Sequence, residues 1–158
     1  MTTRPVEPIR HVVLIPVSGV HAATARAVSY ALSLEAAEIE AVYLSTDQGD
    51  EQELASAWID WRMGVPLAIV DAPFRDLSEP MLEEVRRHTA REGTIVTVVL
   101  PELVVAHWWE QLLHGQSALF FKRLLLFEPG VVVTSVPFHI SQVDESPPAV
   151  PVPAMAPR

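Results

Sequence analysis

Apolar residues recur along this chain in two rhythms, one suited to strands and one to helices, and the two alternate. "HVVLIPV", residues 11–17, is a near-continuous run rich in β-branched side chains, as expected of a strand covered on both faces. Turn residues open "SGVHAATARAVSYALSL", which then becomes an alanine-rich helical pattern with Ala27, Val28, Ala31, Leu32 and Leu34 spaced for one buried face. "EIEAVYLST", residues 38–46, carries Ile39, Ala41, Val42 and Leu44 and closes on polar residues, a second strand. Asp50 followed by Glu53 reads as a capping-box-like start to a second helix. In that helix Leu54, Ala57, Trp58 and Trp61 share a face, and Gly64 supplies the stop.

"VPLAIVDAP", residues 65–73, predicts the third strand, and "FRDLSEPMLEEVRRHTAREG" the third helix. Its expected punctuation is Ser78 as cap, Pro80 in the first turn, acids first, arginines late and Gly93 as terminator. "TIVTVVLPE", residues 94–102, and "GVVVTSVPFHI", residues 130–140, predict the fourth and fifth strands. Between them "WWEQLLHGQSALFFK" reads as a short helix carrying Trp108 and Trp109, then a longer final helix that Ser117 caps. Strands alternating with helices imply βαβ units with right-handed crossovers: an α/β fold whose five-stranded parallel sheet is flanked by helices. The expected organisation is an arm over residues 1–10, one domain over 11–140 and a tail over 141–158. Proline recurs in that tail without periodicity, so it reads as disordered or polyproline-like.

Composition narrows the function classes. At 158 residues, 49% hydrophobic and 20% charged, the chain can bury the core of one domain. A formal net charge of −9 argues against non-specific nucleic-acid binding, which needs a basic surface, while leaving room for a local anion pocket. The absence of cysteine excludes disulfides and thiolate metal sites. No apolar run is long enough to cross a bilayer, and "MTTRPVEPIR" lacks the apolar core of a signal peptide, so the cytoplasm is expected.

Open parallel sheets keep their ligands at the carboxyl ends of the strands, where helix N-termini offer free N–H groups to phosphate. The residues placed there are Val17, Ser18, Gly19 and His21; Thr46 and Asp47; Arg75; and Pro101. Ser18 and Gly19 suit a ligand oxygen or simply a turn and a helix cap. Arg75 suits a phosphate fork or a local pair with Asp76. Thr46 and Asp47 suit a ribose or an Asx turn. His88, His107 and His114 show neither metal-ligand spacing nor a carboxylate at helical distance, so no metal site is expected. Neither a nucleophile elbow nor a phosphate loop of the Gly-x-x-x-x-Gly-Lys type occurs, which argues against an enzyme.

"VLIPVSGVHAATARAVSYALSL" followed by "AVYLST" resembles the opening of universal stress protein domains. A narrower resemblance lies in Leu100-Pro101-Glu102, Trp108-Trp109, Leu112 to Ala118 and Pro129 to Pro137. In that order these segments are similar to the cytosolic C-terminal domain of bacterial amino acid and potassium permeases of the amino acid–polyamine–organocation superfamily. Gly115 stands where those domains usually carry Asn. The resemblance implies a three-layer fold of the universal-stress-protein, adenine nucleotide alpha hydrolase-like kind. It also implies a nucleotide-sensing regulatory role, in the potassium importers as a receptor for cyclic di-AMP that inhibits transport.

ATP or AMP is the weaker ligand expectation, because Pro101-Glu102-Leu103-Val104 replaces the family's Gly-x-x-Gly and Ser18 replaces its turn aspartate. The implied phosphate contacts are His114, Gly115, Gln116 and Ser117 at the last helix, with Arg75 supplying charge. The leading expectation is therefore a non-catalytic, homodimeric sensor that regulates a membrane transporter, as an excised permease tail or as a freestanding partner. The alternatives are an interaction module that pairs through its last strand without nucleotide, and an ATP- or AMP-binding stress protein.

Overall fold

The computed structural model describes residues 9–46, 50–72, 77–101 and 118–138. In chain order the elements are β1 (Arg10–Val17), α1 (Ala22–Ser33), β2 (Glu38–Ser45), α2 (Glu51–Asp60), β3 (Leu67–Asp71), α3 (Ser78–Thr89), β4 (Thr94–Pro101), α4 (Ala118–Phe127) and β5 (Val131–Val136). All strand pairs are parallel and the sheet order is β3-β2-β1-β4-β5. The alternation of strand and helix forces this result, since a parallel neighbour can be reached only by a crossover.

Two apolar layers sandwich the sheet. Val12, Leu14, Val42, Leu44, Val96 and Val98 point to one face and meet Met81, Leu82 and Val85 of α3 and Leu125 of α4. Val13, Ile15, Val17 and Val99 point to the other and meet Ala27, Val28 and Ala31 of α1 and Trp58 of α2. Central strands buried on both sides cannot alternate apolar with polar residues, which is why β1 reads as an unbroken apolar run. The alanines of α1 let that helix lie close to the sheet.

Several local expectations are corrected. Leu32 is 47% exposed and Trp61 52% exposed, so neither belongs to a buried helix face. Asp50 occupies the cap position of α2 without a side-chain bond. Helix α3 is capped from Leu77, not Ser78, because Leu77 is drawn into the core and Ser78 becomes the first helical residue.

Helix α2 stops before Gly64. Its last turn is closed by Arg62 N–H donating to the Ile59 carbonyl and Met63 N–H to the Trp58 carbonyl, with Arg62 at φ +51°. That is a Schellman closure on a non-glycine residue, sealed by Met63 and Trp58 in the same core layer. Strand β3 begins at Leu67, not residue 65, since the Val65 carbonyl instead accepts the Trp58 indole N–H at 2.9 Å. Strand β5 begins at Val131 and ends at Val136, where Pro137 has no N–H to continue a ladder; residues 139–140 of the expected strand lie outside the described residues.

Candidate functional site

Strand order reverses between β1 and β4: α1 carries the chain from β1 to one side, and the link after β4 carries it to the other. The crevice of such a sheet opens at the carboxyl ends of these two strands. Val17 ends β1 with its side chain in the core, and Pro101 ends β4 in register with Val136 of β5. Ser18 and Gly19 follow β1, and Thr46 follows β2 at the same edge. Asp47, Arg75, His114, Gly115, Gln116 and Ser117 lie outside the described residues.

The turn after β1 is held by a bracket of polar bonds. The Thr24 hydroxyl donates to the Gly19 carbonyl at 2.8 Å. His21, in extended conformation at the head of α1, accepts the Thr24 N–H through Nδ1 at 3.3 Å. His21 is thus a helix cap, an unusual residue in a role that satisfies one of the free amides. Gly19 is outside the left-handed region, and a Cβ placed on it would meet only the His21 ring carbon Cδ2, at 3.8 Å. The turn itself does not demand glycine there.

Two cavities open along this edge. The first, of about 370 Å³, is lined by Ser18, Gly19, Val20, Tyr43, Asp50, Glu53, Leu54 and Ala57. Asp50 and Glu53 face the Ser18-Gly19 turn across it, so it suits hydroxyl and amino donors and repels phosphate. The second, of about 530 Å³, lies between α1 and the end of β5. Arg26, Ser29 and Tyr30 line it from one face of α1, at spacings of three and four residues, and Thr134, Ser135, Val136 and Pro137 from the strand. Lys122 of α4 reaches the same strand end, its Nζ 3.4 Å from the Ser135 hydroxyl.

This second cavity combines a guanidinium, hydroxyls and an aromatic ring, groups that suit a phosphorylated aromatic ligand; Lys122 belongs to α4, on the other face of the sheet, and does not line it. Sequence reading missed Arg26, Ser29 and Tyr30. Their signal is visible afterwards: a cation, a hydroxyl and an aromatic on the outer face of α1, opposite its alanines. What sequence spacing does not carry is that this face looks onto the hydroxyls of a strand a hundred residues later.

At the opposite edge of the sheet, Glu38, Glu40 and His88 could hold a metal ion. The expectation that His88 has no carboxylate at helical distance is corrected: Glu84 stands one turn earlier, with an oxygen 3.7 Å from Nε2. Among the described residues no helix is long and apolar enough to cross a membrane.

Residues 9–138 match the family described as KimA potassium transporter C-terminal domain. The chain is also similar to the potassium transporter KimA of Bacillus subtilis (strain 168), with 29% identity over 134 residues. The match covers 83% of this chain and 22% of that protein, so the chain spans about a fifth of the curated relative's length.

Proposed function

The chain belongs to the KimA potassium transporter C-terminal domain family, and from that premise we propose that it is a non-catalytic regulatory domain that binds cyclic di-AMP and controls potassium transport. The observation that carries the ligand part is the cavity between α1 and β5, lined by Arg26, Ser29 and Tyr30 of the helix and Thr134 and Ser135 of the strand. Cyclic di-AMP presents phosphate charge and adenine rings. Arg26 answers the first, and Tyr30, 37% exposed, offers a stacking face to the second. The first cavity, with Asp50 and Glu53, suits an adenine amino group or ribose hydroxyls rather than phosphate.

The universal-stress-protein resemblance supports the same reading, in which Arg75 after β3 and His114 to Ser117 after β4 would add phosphate contacts. The domain would act from the cytoplasmic face, in cis on a membrane portion of the same polypeptide or in trans on a partner. A homodimer belongs to this reading, because β5 is an edge strand and its end borders the cavity.

Thermal melting with cyclic di-AMP, ATP, AMP and cyclic di-GMP tests it. A ligand bound only by the folded state raises the melting temperature by mass action, and the rise should be largest for cyclic di-AMP. Arg26→Ala should weaken that binding about tenfold, the scale of one charge-assisted hydrogen bond of roughly 1.5 kcal/mol. No shift at saturating cyclic di-AMP removes the ligand.

A second reading has its own observation. Leu126, Phe127 and Val132 are 54%, 76% and 47% exposed along α4 and the β5 edge, and an apolar edge strand invites pairing. A stable dimer with no thermal response to any nucleotide would favour an interaction module.

A further inference from the structure

The amino-terminal edge of the sheet carries a cluster that neither cavity uses. Glu38 and Glu40 leave β2 on the same side, two residues apart. The last turns of α3 bring Glu84 and His88 against them. One ligand atom from each of Glu38, Glu40 and His88 lies within 4.8 Å of the others.

His88 points to a ligand independently of the acids. Its side chain is 10% exposed, and its Nε2 is buried with no hydrogen-bond partner among the described residues. That nitrogen is 4.0 Å from a Glu40 oxygen and 3.7 Å from a Glu84 oxygen, beyond bonding range of both. Buried polar atoms are rarely left so, because desolvation then goes uncompensated.

The charges are also unbalanced. Arg10 pairs with Glu38, and Arg87 pairs with Glu84 and lies 3.9 Å from Glu40. Among the described residues two guanidiniums face three carboxylates, one cation fewer than the anions.

We propose that Glu38, Glu40 and His88 form a binding site for a divalent transition-metal ion of the zinc class, with Glu84 beside them. An imidazole nitrogen with carboxylate oxygens is a donor set for zinc and its first-row neighbours, whereas magnesium and calcium prefer oxygen alone. Ligand bonds of about 2.0–2.2 Å place tetrahedral donors roughly 3.3–3.6 Å apart, so the glutamates must close inward by about 1 Å. Their side chains can do so by rotation, and Glu38, 42% exposed, opens the site to solvent. Arg10 and Arg87 then serve as outer partners that orient the ligating carboxylates. The ion would tie β2 to the end of α3, at the edge of the sheet away from both cavities, so this site stands or falls separately from the nucleotide reading.

The test uses the 158-residue chain, stripped with EDTA, dialysed, and titrated with zinc chloride in the absence of nucleotide. Calorimetry should give one ion per chain, and zinc should raise the melting temperature where magnesium and calcium chloride at equal concentration do not. His88→Gln and Glu38→Gln should each weaken zinc binding at least tenfold. Glu38 is only half-buried and keeps a hydrogen-bonding amide as glutamine, so its variant folds and reports even if His88→Gln does not. Absence of saturable zinc binding, or affinity unchanged in Glu38→Gln, overturns the site.

Discussion

Gly19 shows how a residue's type and its surroundings make separate statements. Glycine after a first strand reads as a turn requirement, yet its backbone is one any residue adopts and the space around it is open. Gly19→Ala should therefore leave the melting temperature unchanged or raise it, by the roughly 0.4–1 kcal/mol gained when a compatible glycine is replaced. A marked loss of stability in urea denaturation would show that the turn needs glycine after all. Gly19 lines the acidic cavity, so a loss of ligand affinity without loss of stability would place it in the site. His21 runs the other way: a candidate ligand by position, it is committed to capping α1 through Thr24. Sequence placed both residues at the correct edge because strand ends are read from hydrophobic period. Their duties depend on backbone angles and neighbours, which the period does not contain.

At the scale of elements, the helices are joined by few polar ties, and one of them is titratable. Arg86 of α3 donates through Nε and a terminal nitrogen to the two carboxylate oxygens of Glu128, just after α4, at 2.8 and 3.0 Å. The hydrogen bond to Arg86 holds the Glu128 carboxyl below its ordinary value of 4.5. A carboxyl lowered on folding stabilises the protein above its unfolded pKa, and the benefit is lost as pH falls through the folded value. Glu128→Gln should therefore be less stable than the parent at pH 7, by the small amount typical of an ion pair whose arginine is half exposed. The difference should close below about pH 4, which urea titrations at pH 7, 5 and 3.5 would show; a gap independent of pH would assign the effect to packing. Helix ends were the least legible elements. Their existence follows from spacing, but α2 stops on a Schellman closure with Arg62 at φ +51° because Met63 and Trp58 are pulled together in the core.

Over the whole molecule, protection should follow the sheet order. The inner strands β2, β1 and β4 are paired on both sides, with β1 and β4 the most deeply buried, whereas β3 and β5 are edges. Amide hydrogen exchange should be slowest in β1 and β4 and faster in β3 and β5, as openings propagate inward from exposed edges; equal protection of β5 would indicate that a second chain covers it. The sequence by itself determined the five strands, the parallel sheet and the edge at which a ligand is to be sought. Hydrophobic period dictates which surfaces must be buried, and crossover connections leave few ways to bury them. Tertiary structure alone decided which polar groups share a pocket. It set Arg26 and Tyr30 of α1 against Thr134 and Ser135 of β5, and Glu38 and Glu40 of β2 against His88 of α3. These pairings join residues tens to about a hundred positions apart, through packing that no local spacing records.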